Sequence, residues 1–136
     1  MQRFILPPTT LVTAGTTAVF IPGMLWRPAN NIVLARVQWE IFDKIGTYPQ
    51  CAPAYQATTN VDAPTLNTAV IIDTTRGYQS TVDVYYPSDF YNLRTNGTTP
   101  LKSNMLVRFG WLFNLVQGSS LSTIVAGGVV ETTETS

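Results

Sequence analysis

The chain has 136 residues, 45% of them hydrophobic and 11% aromatic, enough for one domain with a sizeable core and no covalent staples. One cysteine and no histidine exclude an internal disulfide and a Cys/His metal framework. Eight basic and eight acidic residues balance to a formal net charge of +0, and charged residues reach only 12%, against about 25% in ordinary soluble domains.

That charge deficit points to a subunit. A 14.9 kDa chain should expose about 7,000 Å², so its charges are spread at about half the usual density. Obligate interfaces are depleted in charge, and a net charge near zero favours association. A Thr/Ser/Asn-rich monomer surface would give the same composition, but a surface covered by neighbours accounts for it more directly.

Residues 2–6 (Gln-Arg-Phe-Ile-Leu) are apolar and are stopped by Pro7-Pro8. They read as an N-terminal arm (residues 1–8) or an edge strand, because proline cannot donate to a ladder. The same run is too short and too proline-broken for a signal peptide, so cytoplasmic synthesis is expected. Residues 10–14 and 16–21 read as short strands around Gly15, and Pro22-Gly23 reads as a turn. Met24, Leu25 and Trp26 then fall in a loop closed by Pro28 and Asn30-Asn31. Trp26 is there either a lid on the core or an interface anchor.

Residues 32–42 alternate cleanly. Val33, Ala35, Val37, Trp39 and Ile41 share one face, and Arg36, Gln38 and Glu40 the other, which predicts an antiparallel strand with one face in a core. Residues 43–64 read as a long connection, since Gly46, Pro49, Pro53 and Pro64 argue against regular structure. Tyr48, Cys51 and Tyr55 lie in it. Cys51 has no histidine anywhere and only Lys44 near it, so an activated thiol is not expected.

Residues 66–74 and 79–86 look like a strand pair turning at Arg76-Gly77. Val82, Val84 and Tyr86 would point one way, Thr81, Asp83 and Tyr85 the other. Residues 87–93 could form a single helical turn with Ser88 as N-cap. Asn96-Gly97-Thr98 matches a glycosylation sequon, but Asn-Gly is also the commonest tight-turn pair, and the turn reading is preferred.

Residues 104–132 organise the rest. Met105, Val107, Phe109, Trp111, Phe113 and Leu115 alternate, Gly118-Ser119-Ser120 breaks the run, and a second apolar stretch follows. The pattern predicts a hairpin, with Trp39 and Trp111 meeting in a shared core. Gly127-Gly128 suggests a bulge or the close approach of another backbone, and residues 131–136 form a polar C-terminal tail. The count is about eight strands in one all-β domain spanning residues 1–136, an antiparallel sandwich of jelly-roll or Greek-key type.

Little in the chain points to chemistry. Asp43, Asp62, Asp73, Asp83 and Asp89 are scattered, so neither a catalytic carboxylate pair nor a calcium loop is marked. No enzyme activity and no cofactor are expected. Arg3, Arg27, Arg36, Lys44, Arg76, Arg94, Lys102 and Arg108 never cluster, which disfavours nucleic acid. No apolar run is long enough to span a membrane as a helix.

An eight-strand, Thr-rich, low-charge β chain of this kind resembles the small jelly-roll proteins of virus particles, and in style the bacteriophage capsid-decorating (cement) proteins. The resemblance implies a virion location, a homo-oligomer and contacts with other virion subunits. Jelly-roll capsid proteins of small RNA viruses typically carry a basic arm. This chain begins with only Arg3, so an outer or auxiliary shell role is preferred. The expected contacts come from the arm (Arg3, Phe4, Ile5), Trp26, the 43–64 segment (Tyr48, Tyr55) and the tail (Glu131, Glu134). The alternative is a carbohydrate- or receptor-binding module such as a tail-fibre tip, with Tyr48, Tyr55, Tyr85, Tyr91 and Trp26 as a stacking platform for a glycan.

Overall fold

The computed structural model describes residues 1–13, 17–29, 32–57, 68–95, 99–100, 105–115 and 122–135. All regular structure among them is β. The strands are β1 (Gln2–Thr13), β2 (Val19–Trp26), β3 (Ile32–Ile45), β4 (Pro49–Ala57), β5 (Val70–Ile71) and β6 (Tyr85–Pro87). They continue with β7 (Tyr91–Asn92), β8 (Arg94–Thr95), β9 (Thr99–Pro100), β10 (Val107–Leu115) and β11 (Ser122–Thr135). A five-stranded sheet A runs β1-β11-β3-β6, with β7 also on β3, and a four-stranded sheet B runs β2-β10-β4-β5. β8 and β9 form a small hairpin.

The pairing is nested. β1 pairs with β11, β2 with β10, β3 with β6 and β7, and β4 with β5, all antiparallel. The chain is thus one long ribbon that doubles back between β4 and β5 and is then rolled into two facing sheets. This is a jelly-roll sandwich.

The alternation read from the sequence places the core. Val33, Ala35, Val37, Trp39 and Ile41 of β3 are buried, as are Val107, Phe109, Trp111, Phe113 and Leu115 of β10, with Met105 just ahead of them. Trp39 and Trp111 meet across the sandwich with ring centroids 5.5 Å apart and planes at 60°. On one side of the sandwich Phe4, Trp26 and Phe109 fill the gap between the sheets, at centroid distances of 5.2 to 5.9 Å. Trp26 therefore packs on the core, as its lid reading expected.

Several expectations are corrected. β10 and β11 are not a hairpin. Each already has a partner on both edges within its own sheet, so the connection between them crosses from sheet B to sheet A. Pro22-Gly23 is not a turn. β2 runs through it, and the register slips one residue where Phe109 pairs Met24 and Gly110 pairs Pro22, which makes Gly23 the bulged residue of an edge strand. Met24, Leu25 and Trp26 are part of that strand rather than a loop.

Residues 2–6 do not stop at Pro7-Pro8. β1 continues to Thr13 and absorbs the prolines in a register shift between Leu6 and Thr9, which an edge strand tolerates. Leu6 is buried and Phe4 packs on the core, so these residues serve the sandwich itself. The tail is likewise ladder, with Glu131 opposite Arg36 and Thr135 opposite Ile32.

The 43–64 connection contains β4, a central strand. Pro53 accepts from the Ile72 N–H, so the side on which it lacks a donor is the short β5 edge and not the β10 edge. Pro49 has the same parity, and neither proline breaks the β10 ladder.

Residues 66–74 and 79–86 do not pair, because β5 joins sheet B and β6 joins sheet A. The turn between them stands, with Gly77 at φ 70°. Residues 87–93 form no helical turn. The Ser88 N–H donates to the Val37 carbonyl and its Oγ accepts from the Val37 N–H, which extends the β3 edge instead. Gly15, Asn30-Asn31, residues 58–67, Asn96-Gly97-Thr98 and Gly118-Ser119-Ser120 lie outside the described residues.

Candidate functional site

The outward rows of sheet A follow from its register. Arg3, Glu131 and Arg36 form one row, and Ile5, Val129, Gln38 and Pro87 the next. Gly127, Glu40 and Tyr85 follow, and Val12, Thr123 and Ile45 lie at the far end. Between Val125 and Ala126 the register slips, which makes Phe42 an extra residue on β3. Its ring lies over Gly127, where an added Cβ would come within 2.9 Å of Phe42 Cε2. The close approach expected at Gly127-Gly128 is present, since a Cβ on Gly128 would fall 2.5 Å from the Gln38 carbonyl.

The result is an apolar outer face. Ile5 is 66% exposed, Ile45 64% and Tyr85 59%, and Val12 and Phe42 are also exposed. A shallow depression of about 300 Å³ lies in this face, lined by Ile5, Phe42, Tyr85, Gly127, Gly128 and Val129 together with the polar Gln38 and Glu40. The face also carries Arg3, Arg36, Glu40, Asp43 and Glu131, of which Arg36 and Glu131 form an ion pair at 3.3 Å. The outer face of sheet B is tied by polar pairs instead, Gln50 with Asn114 at 2.7 Å and Gln56 with Arg108.

The residues singled out from the sequence are dispersed. Arg3, Ile5 and Glu131 come together on the outer face of sheet A, while Phe4 and Trp26 pack inward. Tyr48 is exposed in the turn between β3 and β4. Tyr55 is buried, and its hydroxyl donates to the Arg94 carbonyl and accepts from the Arg94 N–H, both at 2.8 Å. Glu134 Oε1 accepts from the Ala29 N–H at 2.6 Å. Phe42, Val12 and Ile45 were not singled out. Phe42 falls on the outward face by the same alternation that places Arg36, Gln38 and Glu40 there, so its position was legible although it was not drawn on.

Cys51 is fully buried on β4, and burial pushes its thiol up from 9.0 to about 12. Native protein should therefore resist a disulfide reagent at about pH 8 and react only after unfolding. Rapid labelling of the folded protein would contradict this. In the unfolded chain the thiol ionises near 9.0, while the folded chain holds its proton to about 12. Stability should thus be complete below pH 9.0 and fall as pH rises toward 12. Burial also raises Tyr55 and Tyr78, which act in the same direction.

No three His, Cys, Asp or Glu side chains gather into a metal-binding group among the described residues. The chain matches no protein-family model, no curated protein and no solved structure.

Proposed function

We propose that this chain is a structural subunit of a virus particle, a capsid or capsid-decorating protein that acts by associating with its own copies and with neighbouring shell subunits. The observation that carries this reading is the outer face of sheet A, where Ile5, Phe42 and Tyr85 stand exposed around one depression and Val12 and Ile45 are exposed beyond the Thr10-Val125-Asp43 row. Monomeric proteins rarely leave large contiguous apolar patches in water, and such patches mark interaction surfaces. The low charge content supports the same conclusion. Jelly rolls also build lectin domains and cupins, so the fold alone is an analogy and the surface carries the argument.

Contacts made by such a face are apolar and hydrogen-bonded, so association should change little with salt. Ile45→Lys and Tyr85→Lys alter side chains that are mostly in water already, so both variants should fold. Each should weaken self-association about tenfold or more in sedimentation equilibrium. Association that persists unchanged in both variants and is abolished by salt would refute the assignment to this face.

A further inference from the structure

The two sheets are closed by Phe4, Trp26 and Phe109 on one side and part on the other, where β5, β6 and β7 are only two or three residues long. Two adjoining cavities open there, of about 270 and 360 Å³, and Tyr91 lines both. Together they reach the size of a small-ligand site, which is about 300–1,000 Å³.

The cleft is graded in chemistry. Its inner part offers Tyr55, Val70, Ile72 and Leu93, with Thr74 and Asn92 beside them. Its outer part offers Asp73, Thr75, Arg76, Ser88 and Asp89. Asp73 is only 5% exposed. Its Oδ1 accepts from the Tyr91 hydroxyl at 3.0 Å and the Arg76 N–H at 3.1 Å, while among the described residues Oδ2 meets only Arg76 Nη1, at 3.5 Å. A carboxylate has about four acceptor positions, so Oδ2 retains capacity. Arg76 uses Nη1 on Asp73 and on the Pro87 carbonyl at 2.7 Å. The guanidinium lies over the Tyr86 ring and has five N–H donors, of which those besides Nη1 have no hydrogen-bond partner among the described residues. The Tyr91 hydroxyl is also held by Thr75 Oγ1 at 3.0 Å, which fixes the edge of the ring shared by the two cavities.

An acceptor and a donor side by side suit hydroxyl groups, each of which donates and accepts at once. Tyr91 and the apolar wall suit the C–H face of a sugar ring. The charges lining the cleft balance, Asp73 and Asp89 against Arg76 and Arg94, so no field selects an anion or a cation. We propose that this cleft is a binding site for a neutral saccharide of one or two rings. The site lies on the open edge of the sandwich and shares only Pro87 with the outward rows of sheet A, so it goes beyond a purely structural role.

The test is saturation-transfer NMR on the full-length protein with a panel of neutral hexoses, pentoses and N-acetylhexosamines at about 10 mM. Inorganic phosphate serves as an anionic competitor. The expected result is transfer to sugar ring protons that phosphate does not displace. Arg76→Gln should weaken it about tenfold by removing charge-assisted donors. Thr74 lines the inner part and is itself exposed, so Thr74→Tyr should fill the cleft and abolish transfer while the thermal melt stays unchanged. No transfer from any sugar, transfer unaffected by both variants, or displacement by phosphate would each overturn the proposal.

Discussion

Trp111→Ala is expected to destabilise the fold by about 3–5 kcal/mol. Trp111 is 1% exposed on a central strand of sheet B, and its indole meets Trp39 of sheet A at 5.5 Å. Removing the ring takes away the contact that joins the sheets at mid-core, and the backbone on either side is held by ladders that restrict its collapse. The midpoint of urea unfolding should fall while its slope stays unchanged. Trp39→Ala should cost a similar amount, but Trp39→Phe should be milder, because the Trp39 Nε1 is buried and finds no partner among the described residues. A loss below about 1 kcal/mol for Trp111→Ala would show that this ring is not filling the core.

Gly110→Ala is expected to be nearly as damaging for a different reason. Gly110 sits where β10 meets the bulge of β2, and an added Cβ would fall 2.1 Å from the Ile21 carbonyl oxygen and 2.9 Å from Pro22 Cα. Both obstacles are backbone and cannot rotate away. The cost should be about 3 kcal/mol, the upper end for overpacking, and β2 should lose amide-exchange protection first. Gly77→Ala is the control. Gly77 has open space around it and only its φ of 70° to strain, so about 1–2 kcal/mol is expected there. Equal losses at the two positions would mean that the bulge adapts and that close approach is not the cause.

The sequence made the inward faces legible and left the pairing illegible. On β3 and β10 every second residue is buried, and period-two alternation reports that directly. Which strand lies beside which depends on the closure of the whole roll. The apolar runs around Trp111 and Val125 look like a hairpin locally, although they belong to different sheets.

Prolines misled for a related reason. Pro22, Pro49 and Pro53 each sit in a strand, but Pro22 is on an edge and Pro53 turns its missing donor toward the short β5. Local reading has no access to which edge a residue faces. The candidate site shows the same division. Ile5 and Glu131 were legible as surface residues of terminal segments, and Phe42 as the next outward position after Glu40, whereas the register slip that leaves Phe42 without a partner opposite it was not. The cleft lies beside β5, β6 and β7, which are only two or three residues long, and the apolar runs at 66–74 and 79–86 read locally as longer strands.

The most direct test of the structural-subunit reading is the solution mass of the full-length protein, measured by light scattering over rising concentration and at low and high salt. The account predicts a defined oligomer well above the 14.9 kDa chain mass, persisting in high salt and reduced toward monomer by Ile45→Lys or Tyr85→Lys. A protein that stays at 14.9 kDa at every concentration, and binds no shell when mixed with one, would contradict it.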